Sequence, residues 1–359
     1  MIVCFTGGGT LGHVYPALAV HEQLKHDPAY RPCWIGRNDR LEKKAVQDSG
    51  IEFHAIRSGK LRRYHSLRNI LDIGNICIGF FQALWILSRI RPQILFSKGG
   101  FVSVPPVLAA FMLRIPVISH ESDASPGLAT RINTHFSQVV CVPFCGRFGN
   151  IPAEKLVVSG NPVRSVLVEK ARTPDTSESV SFLDPDERLV VVLGGSSGAV
   201  QLNTLVQESL SVLTGHAYIY HQCGYGNAED TVAPRYTRVA FIHDHLLASL
   251  LKRADLVVSR AGAGTLAELA LFGCPSLLIP LSNASSRGDQ IENARRLAQM
   301  DAARVLSGDV SAEQFGSEVL RLLDDRKGRS LLSANLHALS NEHSAEDLAL
   351  LIRSHIRKE

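Results

Sequence analysis

No CxxC pair occurs among the seven cysteines of this 359-residue sequence, and their number is odd. This argues against a disulfide framework and predicts reduced thiols, most of them buried. No Lys-Ser or Lys-Thr follows the first glycine-rich segment, which excludes a Walker A phosphate loop there. Low-complexity tracts and short-period repeats are also absent. The first residues, MIVCFTGGG, lack the basic region and cleavage site of a signal peptide, so we expect a first strand.

The composition is that of an ordinary globular protein, with 45% apolar and 20% charged residues. At about 150 residues per domain, this length predicts two domains. The net charge of +4 suits a partner that carries phosphates or an anionic membrane surface.

One apolar segment, from Ile70 to Leu87, raises the question of a membrane. It contains Asp72, Asn75 and Gln82, so we expect it not to span a bilayer, which takes about 20 mostly apolar residues. It can instead form an amphipathic helix lying on an anionic leaflet, or a core helix packed on a sheet. Basic residues flank it at Lys60, Arg62, Arg63, Arg68, Arg89 and Arg91.

Short β-branched runs alternate with helical stretches, which indicates βαβ units and parallel sheets buried on both faces. The predicted strands are Ile2 to Phe5, Pro32 to Ile35, Ile94 to Ser97, Val117 to His120, Val139 to Val142, Leu189 to Leu193, Ala217 to Tyr220, Arg238 to Ile242, Leu256 to Ser259 and Ser276 to Ile279. The order strand, glycine loop, helix occurs at the start and again from Leu189. We therefore predict two α/β halves that join near Gly160 to Val163.

Three polar or glycine-rich loops follow strands of the first half, where ligands of open α/β sheets bind. They are Thr6 to His13, Ser97 to Ser103 and His120 to Gly127. His13 begins the first helix and is either a general base or a histidine satisfied by a tight turn. The His-Glu-Asp set of the third loop suggests a metal site or, as we prefer, hydrogen bonds that orient the loop.

The second half repeats the arrangement with loops that suit a nucleotide. Gly194 to Gly198 can cradle a pyrophosphate at a helix N-terminus. In Ser259 to Glu268, the carboxylate of Glu268 can accept two ribose hydroxyls, although a solvated helix glutamate fits as well. Arg287 to Ala294 supplies polar groups for a sugar. The single DxD sequence, Asp184-Pro185-Asp186, is expected to be a turn.

Together these motifs resemble the MurG family of UDP-N-acetylglucosamine-dependent transferases, over nearly the whole chain. The resemblance is carried by GGGTLGHVYPALAV, FSKGGFVSVP, HESDASPGLATR, GNPVR, LGGSSGAVQLN, HQCGYG, and SRAGAGTLAELALFGCPSLLIPL with the following RGDQIENA. It implies an α/β GT-B fold of two Rossmann-like parallel-sheet domains facing across a cleft. The implied domains are residues 1–163 plus 342–359, facing acceptor and membrane, and residues 164–341, binding the UDP-sugar.

The resemblance also implies roles for individual residues. The donor side is Glu268 at the ribose, Ser196 and Arg164 at the pyrophosphate, Ile242 at the uracil and Gln290 at the sugar. The acceptor side is Thr10, Gly12, His13 and Asp123, with His13 as the candidate base and Asp123 or Glu121 able to share that role. The sequence departs from residues common in the family at Leu11, Asp123, Ser197 and Asp289.

The implied reaction is inverting transfer of N-acetylglucosamine from UDP to the muramyl O4 of lipid I, forming lipid II, with no metal or other cofactor. The implied partners are UDP-N-acetylglucosamine, undecaprenyl-linked lipid I and an anionic membrane surface, without nucleic acid. The implied location is the cytoplasmic face of the plasma membrane, held peripherally. Two alternatives share the architecture, a UDP-N-acetylglucosamine 2-epimerase and a non-catalytic nucleotide-sugar sensor.

Overall fold

A computed structural model describes residues 1–9, 11–59, 68–146, 148–173, 180, 182–195, 198–225, 231–281 and 288–356. Within these ranges the side chains of residues 11 and 68–71 are left out of the description. The chain forms two compact units, one of Met1–Arg164 with Asn341–Glu359, the other of Ser165–Ser340. Arg164 and Asn341 thus fall in the first unit, one residue beyond each expected boundary. Asn341 is tied there because its Nδ2 donates to the carbonyl of Ser159 at 2.9 Å.

The first unit contains a parallel sheet of seven strands, ordered β3-β2-β1-β4-β5-β6-β7. The strands are β1 (Ile2–Thr6), β2 (Arg31–Arg37), β3 (Glu52–Ile56), β4 (Ile94–Ser97), β5 (Val117–His120), β6 (Val139–Val142) and β7 (Leu156–Val158). This is the doubly wound order, which reverses direction at β1 and β4.

The second unit contains another seven-stranded sheet, ordered β10-β11-β9-β8-β12-β13-β14, in which only the β10–β11 pair is antiparallel. Its strands are β8 (Leu189–Leu193), β9 (Tyr218–Gln222), β10 (Thr231–Ala233), β11 (Tyr236–Val239), β12 (Leu256–Ser259), β13 (Ser276–Leu278) and β14 (Arg304–Val305). The order reverses at β8 and β12. Both sheets therefore confirm the predicted pair of Rossmann-like parallel-sheet units.

Helices cover the sheets and close the crossovers. They are α1 (Leu11–Leu24), α2 (Arg40–Asp48), α3 (Arg68–Ile90), α4 (Val104–Met112), α5 (Leu128–Phe136), α6 (Ser165–Arg172), α7 (Val200–Glu208), α8 (Leu210–Thr214), α9 (Asp244–Arg253), α10 (Ala263–Phe272), α11 (Asp289–Gln299), α12 (Ala312–Asp324), α13 (Arg326–His337) and α14 (Ser344–His355). Short 3-10 turns lie at Phe101–Ser103 and Ala153–Lys155. The C-terminal helix α14 returns to the first unit and packs on α1.

Aromatic side chains from adjacent strands hold the core of the first unit together. Phe5 on β1 stacks on Trp34 of β2, with ring centroids 6.2 Å apart, and meets Phe96 of β4 edge-on at 5.9 Å. These residues are neighbours in the strand register, so their rings lie on one face of the sheet. Leu348 and Ile352 of α14 pack into the same cluster. The returning helix is therefore part of the core of the first unit.

The helix α3 has one buried face and one exposed apolar face. Ala83, Ile86 and Leu87 join the core, whereas Phe81 is 66% and Trp85 58% exposed. At 23 residues the helix is longer than expected from the sequence. Among the described residues, the stretch Asp72–Ile90 is long and apolar enough to cross a membrane by length and composition. The expectation that this segment is too polar to span a bilayer is therefore not supported by its length and composition.

The cysteine prediction holds for five of the seven residues. None of the seven is in a disulfide bond, and Cys4, Cys33, Cys141, Cys223 and Cys274 are buried. Cys77 and Cys145 are exposed, because one lies on the open face of α3 and the other in the loop after β6.

Candidate active site

The first sheet brings the predicted motifs of the first half to one edge. The loops after β1, β4 and β5 form what we call the first glycine edge. Thr6 and Ser97, the last residues of β1 and β4, are partners in the register, and the N–H of Lys98 donates to the carbonyl of Thr6 at 2.8 Å. Because the sheet reverses at these strands, this edge is the crevice where doubly wound folds bind ligands.

His13 lies at this edge, at the third position of α1, and is partly exposed. Its ring packs against Gly100, where an added Cβ atom would lie 3.2 Å from Cδ2 and 3.4 Å from Nε2 of His13. That Cβ atom would also lie 2.4 Å from the carbonyl oxygen of Gly8. Gly100 has a φ of 76°, a backbone conformation that favours glycine. A glycine here lets the imidazole and both loops come together.

The loop after β5 is closed by the carboxylate of Glu121. Its Oε1 accepts the N–H groups of Ser122 and Asp123 at 2.8 and 3.1 Å, and its Oε2 accepts that of Gly127 at 3.1 Å. Asn161 adds a bond from Nδ2 to the carbonyl of Ser122 at 2.9 Å. These contacts agree with the preferred interpretation, in which Glu121 orients the loop. Asp123 is presented on it, partly exposed.

Lys98 is a charged group that the sequence did not single out. It directly follows β4, is 1% exposed, and its Nζ donates to Oγ of Ser122. Burial lowers the pKa of Lys98 to about 8, although the nearby Glu121, Asp123 and Cys141 act in the opposite direction. The ammonium group therefore supports the loop that carries Asp123. The only signal in the sequence is a lysine placed between an apolar strand and two glycines.

His120 is fully buried and forms a hydrogen bond to the backbone. Its Nε2 lies 2.9 Å from the carbonyl oxygen of Gly160, which fixes Nε2 as the protonated nitrogen. Burial, with the charge of Lys98, holds the pKa of His120 well below its usual value. A neutral histidine in this position links the end of β5 to the segment that leads out of the unit.

The loops after β8 and β12 form the corresponding second glycine edge. Leu193 and Ser259, the last residues of β8 and β12, are register partners. The N–H of Gly194 donates to the carbonyl of Gln222 at 2.9 Å. An added Cβ atom at Gly262 or Gly264 would meet no described atom within 4 Å, so the backbone there borders open space.

A buried polar network supports this edge from below. His221 lies between Tyr236 and Asn203, with its Nδ1 3.1 Å from the Tyr236 hydroxyl and its Nε2 3.1 Å from Asn203 Oδ1. Asn203 Nδ2 donates to the carbonyl of Cys223 at 3.0 Å. Burial lowers the pKa of His221 to about 4, so the ring is neutral at pH 7. With the tyrosine hydroxyl donating to Nδ1 and Nε2 donating to Asn203, each of these bonds has a donor and an acceptor.

Glu268 lies in the second turn of α10 and is partly exposed, next to the open backbone of Gly262 and Gly264. The helix starts at Gly262 without a side-chain cap, which leaves its first N–H groups for a ligand or solvent. Arg260, between strand and helix, donates to the Gln201 side chain at 3.0 Å and to the carbonyl of Ile279 at 2.8 Å. Arg260 thus places its guanidinium at the second glycine edge. The sequence analysis assigned no role to this residue.

Ile242 and Gln290 each use one polar group in a hydrogen bond within the protein. The N–H of Ile242 donates to Oε1 of Gln222 at 2.9 Å, which leaves its carbonyl as the backbone group able to meet a base. Oε1 of Gln290 accepts the N–H of Leu281 at 3.0 Å, which leaves its amide nitrogen to donate to a ligand. Both side chains lie in the second unit.

The remaining predicted residues are Thr10, Ser196, Arg164 and Gly12. Thr10 and Ser196 lie outside the described residues, as do Arg62 and Arg63 of the basic cluster and Lys60. Arg164 is described, but it is the last residue of the first unit, whereas the loop of Ser196 belongs to the second. Gly12 is exposed in the first turn of α1.

The DxD sequence is an exposed turn, as predicted. The N–H of Glu187 donates to the carbonyl of Asp184 at 3.0 Å, and that of Asp186 donates to Oδ1 of Asp184 at 3.1 Å. Within the described ranges, no group of three or more His, Cys, Asp or Glu side chains is arranged to hold a metal ion.

Both units match known protein families. Residues 3–142 match the glycosyltransferase family 28 N-terminal domain, and residues 189–349 match the glycosyltransferase family 28 C-terminal domain. The chain is 42% identical over 338 residues to a UDP-N-acetylglucosamine–N-acetylmuramyl-(pentapeptide) pyrophosphoryl-undecaprenol N-acetylglucosamine transferase of Treponema pallidum, covering 90% of this chain and 86% of that protein. It is 36% identical over 357 residues to the enzyme of the same name in Clostridium botulinum, covering 99% of both.

Solved structures show the same architecture. The crystal structure of Acinetobacter baumannii MurG superposes with a TM-score of 0.77 at 26% identity, covering 98% of this chain and 99% of that one. A UDP-N-acetylglucosamine 2-epimerase from Neisseria meningitidis has a TM-score of 0.65 at 13% identity, over 98% and 100% of the two chains, which shows a shared fold alone. The chain therefore belongs to glycosyltransferase family 28 and, within it, to the MurG family.

Proposed function

We propose that this protein transfers N-acetylglucosamine from UDP-N-acetylglucosamine to the muramyl O4 hydroxyl of lipid I, forming lipid II for peptidoglycan synthesis. The observation that carries the proposal is the identity of 36–42% to relatives named for this transfer, over 90–99% of the chain. The two glycine edges, each at the reversal point of its sheet, are consistent with it because the reaction needs sites for two substrates.

The second unit binds the donor in this proposal. Glu268 accepts the ribose hydroxyls, and the loop of Ser196 meets the pyrophosphate, with Arg164 contributing its charge. The carbonyl of Ile242 accepts from the uracil, and the amide nitrogen of Gln290 donates to a sugar hydroxyl. The engaged N–H of Ile242 and the engaged Oε1 of Gln290 favour these directions.

The first unit binds the acceptor at the first glycine edge, with Thr10, Gly12, His13 and Asp123 as the acceptor-side residues. The muramyl O4 attacks the anomeric carbon, its proton passes to His13, and the bond from that carbon to the UDP oxygen breaks with its electron pair. One displacement converts the α-linkage to a β-linkage. His13 is favoured as the base because its ring lies at this edge against Gly100.

Charge that develops on UDP is stabilised by protein groups in this mechanism. The uncapped N-terminus of α10 and the guanidinium of Arg260 lie at the second glycine edge and suit this task. We accordingly propose that catalysis needs no metal ion.

The protein acts at the cytoplasmic face of the plasma membrane, to which it binds peripherally through the exposed face of α3. Phe81 and Trp85 project from that face, and the guanidinium of Arg89 lies 4.2 Å from the Trp85 ring centroid. Apolar side chains beside a cation suit the interface of an anionic leaflet. A lipid-linked acceptor would be reached at the same surface.

Sedimentation with anionic phospholipid vesicles at low salt tests the membrane part. The double variant Phe81→Ser, Trp85→Ser should lose most of the vesicle-bound fraction. The matched control is Leu331→Ser, which removes an exposed apolar side chain from α13 of the second unit. Binding that persists in the double variant, or wild-type protein that fails to bind, contradicts the proposed surface.

Proton NMR of UDP-N-acetylglucosamine incubated with the protein separates the transferase from the epimerase. Without acceptor, the transferase leaves the sugar configuration unchanged. With a short-chain lipid I analogue, it yields a disaccharide product and UDP. Inversion at C2 of the sugar without acceptor would contradict the proposal. Tight binding without turnover in the presence of acceptor would indicate a sensor.

A further inference from the structure

A buried carboxyl group without a role in the mechanism lies beneath the first glycine edge. Glu42 is the third residue of α2 and only 3% exposed. Asp39 caps this helix by accepting the N–H groups of Leu41 and Glu42 at 3.0 and 3.2 Å, which fixes where Glu42 leaves the backbone. Because burying a carboxyl group is unfavourable, its position calls for a physical explanation.

Two glycines make the space that the carboxyl group occupies. An added Cβ atom at Gly8 would lie 2.4 Å from Oε2 of Glu42, and one at Gly36 would lie 2.1 Å from Oε1. Both distances are shorter than van der Waals contact, so a side chain at either position would have to displace the carboxyl group from this space. Gly8 belongs to the loop after β1, and Gly36 lies on β2. The carboxyl group therefore touches the loop that leads to His13.

The two carboxyl oxygens differ in their surroundings. Oε1 accepts the indole N–H of Trp34 at 3.2 Å. Oε2 is buried, and no described donor meets it with hydrogen-bond geometry. The N–H groups of Gly9 and Arg37 are nevertheless close enough to favour the charged form. Oε2 is thus aimed at the backbone of the loop.

Burial outweighs these donors and raises the pKa of Glu42 to about 7. The charge of Asp39, the residue that caps α2, adds to the increase, whereas the Trp34 indole and the backbone N–H groups of Gly9 and Arg37 oppose it. From β3 the neighbour is the apolar ring of Phe53, which lies against Gly36. Among the described residues, no lysine, arginine or histidine side chain contributes to this pKa.

A continuous series of contacts joins this carboxyl group to His13. Gly8 lies over Glu42, the carbonyl oxygen of Gly8 lies against Gly100, and Gly100 packs on the His13 ring. A displacement of the loop backbone at Gly8 would therefore alter the position of Gly100 relative to the imidazole.

We propose that Glu42 is a positioning residue whose charged carboxylate, rather than the protonated acid, holds the first glycine loop in place beside Gly100 and His13. The carboxylate attracts the N–H group of Gly9 in this loop, and protonation weakens that attraction. The kinetic test of this inference rests on the proposed function, but a structural test does not.

The first experiment compares wild type, Glu42→Gln and the control Asp48→Asn, which neutralises an exposed carboxylate on the same helix. We expect Glu42→Gln to lower kcat/KM for a short-chain lipid I analogue about tenfold at pH 8 and only about twofold at pH 6, where the wild-type carboxyl is mostly protonated. Dividing the kcat/KM of the variant by that of wild type at each pH cancels the effect of ionisations that both proteins share, including that of His13. Asp48→Asn should match wild type at both pH values.

A ratio that is the same at pH 6 and pH 8 overturns the proposal, since a purely structural role would not depend on this ionisation. Affinity for UDP-N-acetylglucosamine, measured by calorimetry, should change less than about twofold in Glu42→Gln, because the proposed donor residues other than Arg164 lie in the second unit.

The second experiment needs no activity. Hydrogen exchange of the Gly8 and Gly9 amides, followed by NMR at pH 8, should be about tenfold faster in Glu42→Gln than in wild type. If Glu42→Gln does not fold, wild type alone is decisive: protection of these amides should increase as the pH rises through about 7, after correction for intrinsic rates. Protection that is independent of pH refutes the role of Glu42. If neither wild type nor the variants transfer sugar, the proposed function fails. The exchange data still decide whether Glu42 positions the loop.

Discussion

Replacing Lys98 with methionine tests whether the first glycine edge keeps a buried ammonium group at the expense of stability. Lys98 is 1% exposed, and burial lowers its pKa from 10.5 to about 8 even with Glu121, Asp123 and Cys141 nearby. Methionine has a similar length and no charge, so it fills the same space. The main interaction that the substitution removes is the hydrogen bond from Nζ of Lys98 to Ser122.

The magnitude follows from the change in pKa. The difference between 10.5 and about 8 corresponds to about 3 kcal/mol of lost free energy of unfolding at pH 7. The unfolded chain keeps the lysine proton up to about pH 10.5, whereas the folded protein releases it near pH 8. The unfolded state therefore binds more protons in this window, and wild-type stability rises with pH across it.

For Lys98→Met we expect a net gain of about 1–2 kcal/mol at pH 7, because loss of the Ser122 bond offsets about 1 kcal/mol or more. By pH 9.5 this advantage should fall by about 2 kcal/mol. Function should change in the opposite direction, with a higher KM for the acceptor, because the loop that presents Asp123 loses its support.

Urea unfolding at pH 7 and pH 9.5, followed by tryptophan fluorescence, measures this effect in the relevant unit. The chain has two tryptophans, Trp34 and Trp85, and both lie in the first unit with Lys98. Lys43→Met, which removes an exposed lysine of α2, is the control. A stability difference between wild type and Lys98→Met that is the same at both pH values would show that the pKa of Lys98 is not lowered by burial.

Three further substitutions test separate parts of the account. His13→Ala should lower kcat at least about 100-fold while leaving the calorimetric Kd for UDP-N-acetylglucosamine within about twofold, and an unchanged kcat would exclude His13 as the base. Glu268→Gln should raise the Kd for UDP about 10- to 100-fold, and an unaltered Kd would remove Glu268 from the ribose site. Asn203→Leu should lower the free energy of unfolding of the second unit by about 2–3 kcal/mol, since His221 and the carbonyl of Cys223 each lose a partner, and a smaller loss than about 0.5 kcal/mol in chemical denaturation would contradict the network.

Central strands could be predicted from the sequence, and edge strands could not. The runs Ile94–Ser97, Val117–His120 and Leu256–Ser259 match the structure residue for residue, because strands buried on both faces are continuously apolar. Glu52–Ile56 and Thr231–Ala233 were missed, since they lie at sheet edges and carry exposed residues. Local composition gives little signal where the pairing itself makes the strand.

Two predicted boundaries were wrong because contacts distant in sequence determine them. The strand expected at Arg238 to Ile242 lies earlier, at Tyr236–Val239, where it pairs with β9. The local pattern from Val200 to Leu213 predicts one helix, but the structure divides it at Ser209, whose Oγ donates to the carbonyl of Ala312. Both depend on tertiary contacts that the local pattern does not contain.

The loops at the candidate site were predicted from glycines after strands, but the charged groups beneath them were not. Lys98 and Glu42 have the side chains of surface residues, and Glu42 stands in a strongly polar helix. Their burial follows from strand register and from the missing side chains of Gly8 and Gly36. Such three-dimensional coincidences cannot be inferred from spacing along one chain.

The most direct test of the central claim is UDP release from UDP-N-acetylglucosamine, measured with and without a short-chain lipid I analogue in the presence of EDTA. We predict release that depends on the acceptor and continues in the chelator. Absence of release with acceptor, together with interconversion of the sugar nucleotide without it, would contradict the transferase assignment. Acceptor-dependent release that EDTA abolishes would contradict the metal-free mechanism.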